Sequence, residues 1–313
     1  MDNKPHLPVL LDQVVDVLTP KRGARYIDGT FGAGGYSRAF LEAADCTVWG
    51  IDCDPSVIET GERLAHEFGG RLTFVSGRYG DMDSILSDIG VTQIEGIALD
   101  LGVSSMQIDD PERGFSFRED GPLDMRMSKS GETAADAVNK LGERELADII
   151  YRYGEERASR QVARAIVNLR TRRPINRTQQ LAEIVRGVVK HSQDGIDPAT
   201  RTFQALRIYV NDEIGELERG LAAAESLLVP GGRLVVLSFH SLEDRCVKQF
   251  FKTRSGFASL PSRHYPLNEV VSGAPTFKII NRSAVRPTSA EISINPRARS
   301  ARMRWGERIG VVL

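Results

Sequence analysis

One stretch limits what this chain can fold into more than any other: Tyr26-Ile-Asp-Gly-Thr-Phe-Gly-Ala-Gly-Gly-Tyr-Ser37. An apolar run ending at Asp28 reads as a buried strand, Gly29, Gly32, Gly34 and Gly35 punctuate a loop, and a helix begins near Tyr36. Glycine admits positive φ and lets backbone approach a ligand closely, and the free N–H groups of a helix start favour electron-rich groups. The stretch has the makings of a cofactor cradle. Gly32-x-Gly34-x-x-Ser37 matches the dinucleotide fingerprint only in part, so on these residues alone a tight turn with no ligand stays open.

The chain around it repeats the same grammar. Val9 to Leu18 has a helical apolar period, Cys46 to Asp52 is a second β-rich run ending in an acid, and Asp54-Pro55 starts a helix with the aspartate as cap. Leu72 to Val75 is a third strand, followed by Tyr79-Gly80-Asp81. A fourth, Gly96 to Asp100, runs into Leu-Gly-Val-Ser104-Ser-Met-Gln107. Strands alternating with helices predict an α/β fold with a parallel sheet whose strand ends form the binding edge, and Asp28, Asp52, Tyr79 and Asp100 all fall there.

The alternation stops at Asp109. A polar stretch to about Lys129 is too long for an idle connector and is expected to act as a flap, and from Thr133 to about Val189 the pattern is helical. One amphipathic helix is expected from Ala205 to Leu228 and a fifth strand from Val229 to Ser238, leading to Phe239-His240. A helix from Asp244 to Lys252, a polar loop with Pro261 and Pro266, and weaker strands at Phe277 to Ile280 and Arg302 to Trp305 complete the pattern. The expected organisation is a discontinuous domain, 1–108 with 205–313, and an inserted domain, 109–204.

A hydrophobic content of 41% and a charged content of 27% fit a folded globular protein and argue against disorder. The net charge of −1 hides an asymmetry: acids dominate up to about Asp136, and arginines cluster after Arg152 and again after Arg282. A near-neutral total can therefore still carry a basic face. The three cysteines form no Cys-x-x-Cys pair, which predicts a reducing compartment and no structural zinc. With no apolar signal core and no run approaching the roughly 20 residues that span a bilayer, the expectation is a cytoplasmic protein with no membrane partner.

Asp52 stands where a nucleotide-binding sheet places a carboxylate for a ribose diol, a group that NAD and S-adenosylmethionine share. Asp28 separates the two, since an acid just before the glycines repels a pyrophosphate and suits the ammonium of a methionyl group. An exocyclic amine on a base has its lone pair delocalised into the ring, so methylating it needs acceptors that hold its N–H bonds and aim the lone pair. Asp100, Ser104 and His240 are the candidates, each with a bland alternative as turn former or surface residue. Arginine forks from Arg157 to Arg177 and from Arg297 to Arg304 suit phosphates, although a solvated helix face balanced by acids explains any one cluster. Phe115 and Phe117 could stack on a base or anchor a core.

Longer strings go further. Asp28-Gly-Thr-Phe-Gly-Ala-Gly-Gly35, Asp100-Leu-Gly-Val-Ser-Ser105 with Gln107, Glu112-Arg-Gly-Phe-Ser-Phe117 and Gly121-Pro-Leu-Asp-Met-Arg-Met127 resemble the bacterial small-subunit ribosomal RNA cytosine-N4 methyltransferases. So do Tyr153-Gly-Glu-Glu-Arg157, Ala199-Thr-Arg-Thr-Phe-Gln204, Ser238-Phe-His-Ser-Leu-Glu-Asp-Arg245 and Asn295-Pro-Arg-Ala-Arg-Ser300, so the likeness covers nearly the whole chain. The resemblance implies a class I S-adenosylmethionine-dependent methyltransferase sheet with an inserted helical domain. It implies methyl transfer to N4 of a cytidine in the decoding centre of 16S rRNA, near the P site; the cysteine pattern adds the expectation of no metal. Carried over by position, Gly34, Gly35, Tyr36, Asp52, Tyr79, Asp100 and Gln107 would contact S-adenosyl-L-methionine. Arg157, Arg172, Arg173, Arg201, Arg297 and Arg299 are the candidate RNA contacts, on rRNA within a 30S subunit or its precursor, with a homodimer left open. Tyr36 stands where that family commonly has His, Tyr79 where it has Phe, and Met106 where it has Pro. The rival readings are a methyltransferase of DNA or another RNA site, a non-catalytic ribosome-assembly factor, and a dinucleotide oxidoreductase.

Overall fold

Short runs of Val, Ile, Leu and aromatic residues, apolar at successive positions, suit strands covered on both faces. In the computed structural model, which describes residues 8–190, 195–256 and 274–310, they form one seven-stranded sheet. Its strands are β1 (Arg25–Asp28), β2 (Thr47–Asp52), β3 (Leu72–Ser76), β4 (Ile94–Asp100), β5 (Leu228–Ser238), β6 (Phe277–Lys278) and β7 (Arg302–Arg308), in the order β3-β2-β1-β4-β5-β7-β6. The first five are parallel, and β7 pairs antiparallel with both β5 and β6. Alternate side chains feed two cores. Tyr26, Val48, Ala98, Val235 and Leu237 pack in one, and Ile27, Trp49, Ile51, Ile97, Leu99, Leu234 and Val236 in the other.

Two compact units divide the chain, residues 1–102 with 214–313, and 103–213. The second is helical: Leu146, Ile150, Val162, Ile166, Leu181 and Leu206 share a core of its own. Its edges differ from the expected 109–204 because the flanking segments belong with it. The helix Ala199–Asn211 buries Phe203 and Leu206 in that core. The single helix expected from Ala205 to Leu228 is in fact two, Ala199–Asn211 and Glu213–Leu227, broken at Asp212 with φ 52°. The break follows from tertiary demands: buried Asn211 donates to the Met125 carbonyl and accepts from the Met127 amide, both at 2.8 Å.

The stretch expected to be a flap is pinned along its length within the helical unit. Arg113 donates to the carbonyls of Arg126 and Met127 at 2.9 Å, and the Gly121 amide donates to Thr178 Oγ1 at 3.0 Å. Phe117 meets Phe203 edge-on at 4.7 Å, and Phe115 also packs on the helical core, so these rings anchor the stretch. Short helices at Ala134–Lys140 and Ser289–Ile294 were not singled out by pattern, and the strand expected to reach Ile280 ends at Lys278. The expected loop with Pro261 and Pro266 lies outside the described residues. Among those described, no helix is long and apolar enough to cross a membrane.

Candidate active site

Strand order reverses between β1 and β4, and open α/β sheets bind ligands in the crevice at such a point. The acids that close these two strands stand on either side of it. Asp28 is buried, with Oδ2 accepting from the Ser37 amide at 3.0 Å and the Ser37 hydroxyl at 2.7 Å, while Oδ1 accepts nothing among the described residues. Burial pushes its carboxyl up to about 6 despite the Ser37 bonds. Asp100 Oδ1 is likewise buried without a partner. Burial, then the charges of Asp28 and Glu243, push Asp100 up to about 8, with the Tyr36 hydroxyl acting the other way. Buried polar oxygens without partners are costly, so a donor or cation placed here would be held firmly.

Asp52 closes β2 and ties the glycine loop to it. Its Oδ2 accepts from the Gly32 amide at 2.8 Å and its Oδ1 from the Asp54 amide at 2.9 Å. Each oxygen keeps a second lone pair, enough for a diol. Burial raises Asp52 as well. Capping is done by Asp54, whose Oδ1 accepts from the Ser56 amide at 2.9 Å.

Two of the loop glycines answer to the chain's own packing. A Cβ on Gly35 would fall 2.2 Å from Pro8 Cγ, and one on Gly34, at φ +77°, would fall 2.8 Å from Leu64 and Phe31. Tyr36, in the helix Gly35–Ala43, is buried, and its hydroxyl donates to the Val9 carbonyl at 2.6 Å. Burial and the nearby Asp100 and Asp28 charges hold its pKa well above the usual phenol range, so it stays a neutral donor. Tyr79, half-buried in the turn after β3, lays its ring on Gly220, where a Cβ would come within 2.5 Å of it.

His240 is no surface residue: its side chain is 10% exposed and it caps the helix Ser241–Arg254. The Glu243 amide donates to Nδ1 at 3.4 Å, and Glu243 Oε2 accepts from the Phe239 amide at 2.7 Å. Nε2 lies 3.0 Å from Glu243 Oε1 without the alignment of a hydrogen bond. Ser104 and Gln107 belong to the helical unit, where they form a capping box: the Gln107 amide donates to Ser104 Oγ at 3.2 Å and the Ser104 amide to Gln107 Oε1 at 3.0 Å. Ser37 and Glu243 were missed from sequence. The spacing His240-x-x-Glu243 is a capping-box signal that could have found the second, whereas nothing local marks Ser37 as the clamp on Asp28.

The arginines sort into two kinds. Arg170 donates to the Val138 carbonyl at 2.7 Å, Arg177 pairs with Asp120 at 2.9 Å and Arg186 with Asp197 at 2.9 Å, so these hold the helical unit together. Arg201 lies 4.0 Å from Glu156. Arg157, Arg172 and Arg173 are exposed, and their side chains have no partner among the described residues. Arg297 and Arg299 lie exposed in the turn Pro296–Ser300.

A parallel sheet in this order, with its one antiparallel strand slotted between β5 and β6, is the class I S-adenosylmethionine-dependent methyltransferase fold. The model of the MraW methylase family matches residues 3–309, and the chain belongs to that family. It is 63% identical over 303 residues to ribosomal RNA small subunit methyltransferase H of Rhodospirillum centenum, covering 97% of this chain and 92% of that protein. Its identity to the protein of the same name from Paramagnetospirillum magneticum is 59% over 308 residues, covering 98% and 97%.

Proposed function

We propose that this chain transfers a methyl group from S-adenosyl-L-methionine to N4 of one cytidine in the decoding centre of 16S rRNA, near the P site. The observation that carries the reading is the pair of buried carboxyl oxygens, on Asp28 and Asp100, left without partners at the switch point of a methyltransferase sheet. The relatives named for small-subunit ribosomal RNA methylation support the substrate class.

The donor fits the residues present. It is a cation, and a positive charge beside Asp28 and Asp100 offsets the burial that raises both. Asp52 accepts from the ribose diol, Tyr79 packs against the adenine, the loop backbone at Gly34, Gly35 and Tyr36 borders the methionyl end, and Gln107 is a further contact. When bound, S-adenosyl-L-methionine supplies an electrophilic methyl group on a sulfonium. Asp100 accepts an N–H of the cytosine amine and so aims its lone pair, while His240, held by Glu243, positions the base. Ser104, whose Oγ accepts from the Gln107 amide, is a further candidate acceptor for the amine. Transfer is direct and in line. Burial pushes the Cys53 thiol up to about 12 and Cys246 up to about 11, which leaves little thiolate to attack a pyrimidine ring. The helical unit, with Arg157, Arg172, Arg173 and Arg201, and the C-terminal Arg297 and Arg299 hold the rRNA.

Mass-spectrometric mapping of 16S rRNA from cells lacking the protein tests this. The expected result is loss of one N4-methyl mark in the decoding centre, restored by the wild-type chain. An unchanged modification map overturns the proposal. Assays on naked 16S rRNA, precursor particles and 30S subunits then identify the assembly state that is methylated.

A further inference from the structure

We infer that a basic pocket beside His240 holds a phosphodiester of the RNA strand next to the target nucleotide, an inference that rests on the function proposed above. A cavity of about 290 Å³ opens where β5 gives way to the helix Ser241–Arg254, and His240, Ser241, Arg286, Arg299, Ser300 and Arg302 line it. Phe239 and Ala301 complete the wall, so no carboxylate faces the space. Glu243, the nearest acid in sequence, turns Oε2 to the Phe239 and His240 amides and Oε1 to His240 Nε2 at 3.0 Å.

The charge in the pocket exceeds what the chain neutralises. Asp244 is shared between Arg302 at 2.8 Å and Arg304 at 2.7 Å, one carboxylate for two guanidiniums. Arg286 and Arg299 have no ion pair or side-chain hydrogen bond among the described residues. His240 is nine-tenths buried with its Nε2 3.0 Å from Glu243 Oε1, so the arginines and not the imidazole carry the charge of the pocket. The N-terminal end of a 14-residue helix adds positive potential. Guanidinium forks beside hydroxyls are the donor set that a tetrahedral anion with several acceptor oxygens takes up.

Position makes that anion part of the substrate. Asp100 pairs with Leu237 across β4 and β5, and the pocket starts at Phe239, just beyond that rung. A strand whose base reaches Asp100 therefore runs its backbone past the pocket. Such a contact fixes register without reading sequence.

The test is binding of an RNA oligonucleotide containing the target cytidine, followed by fluorescence anisotropy over a range of salt, for wild type and for Arg286→Gln with Arg299→Gln. The expected result is an affinity loss of roughly tenfold per arginine and a fall of about 0.7 in the log–log salt slope, the share of one phosphate on a single strand. KM for RNA rises, and donor affinity stays at its wild-type value. Inorganic phosphate should compete with RNA in the wild type and lose that competition in the double variant. Unchanged affinity and slope in a double variant that binds donor normally overturn the pocket, as does phosphate competition that survives the substitutions. If the glutamine pair misfolds, Arg286→Lys with Arg299→Lys carries the same test: it keeps the slope and loses affinity with the fork. A wild-type protein that methylates no RNA sinks the proposed function, and this inference with it. Normal methylation with an indifferent pocket sinks this inference alone.

Discussion

The aspartates at the sheet's strand ends do opposite work to those of the helical unit. In the helical unit the Gln179 amide and then Arg177 hold Asp120 below the usual carboxylate range. Burial opposes ionisation at Asp124, but the bonds from Arg126 win and its pKa falls. Lys140, 2.8 Å away, and Thr133 hold Asp136 far down. In the sheet unit no lysine or arginine pairs with Asp28, Asp52 or Asp100 among the described residues, and burial pushes all three up. The first set is occupied in holding structure. The second is kept at a cost to stability, as expected of groups that complete themselves with a ligand.

The largest effect that sharpens this contrast is expected at Asp52. Asp52→Ala removes the acceptor of the Gly32 and Asp54 amides together with the diol acceptor, and should weaken donor binding by about a hundredfold or more in calorimetry. A loss of only a few-fold would put Asp52 with the structural acids.

A smaller effect is expected from pH. Asp28 at about 6 and Asp100 at about 8 lie above their unfolded values. Their protonated forms are therefore favoured in the folded chain. The stability they contribute is fully present below the ordinary aspartate pKa and is lost as pH rises through about 6 and about 8. A cationic donor prefers the carboxylates, so its affinity should climb across that window, approaching about tenfold per pH unit for each proton released. Asp100→Asn should flatten the upper part of the climb. Calorimetry in two buffers of different ionisation enthalpy counts the protons, and a flat profile for the wild type would break the comparison.

The smallest effect belongs to the helical unit. Thr133→Ala removes one half of the capping box with Asp136 and should lower stability by about 1 kcal/mol. Thermal denaturation measures it, with donor affinity expected to stay put. A change in donor affinity would put Thr133 and Asp136 with the ligand-dependent acids.

Much of the site was legible because local chemistry writes it. The glycine loop, the acids at the ends of β1, β2 and β4, and the Asp54-Pro55 cap depend on residues close together in the chain. What escaped depends on residues far apart. The break at Asp212 follows from Asn211 holding Met125 and Met127, contacts that a helical period cannot announce. Phe117 could stack or anchor by sequence, and Phe203 decides for the anchor. Gly34 and Gly35 look bared for a ligand, yet Pro8, Phe31 and Leu64 need the space.

The sequence by itself determined the order of elements, the acids at the strand ends and membership of the MraW methylase family, since periodicity, turn chemistry and motif strings are all local. Only the tertiary structure decided which charges are already matched. Arg170 and Arg177 are consumed by the fold while Arg172 and Arg173 are not, and Asp100 meets the charges of Asp28 and Glu243, each from a separate element. The free energy of a charge depends on the burial and neighbours that folding brings to it, and neither can be read from the residue alone.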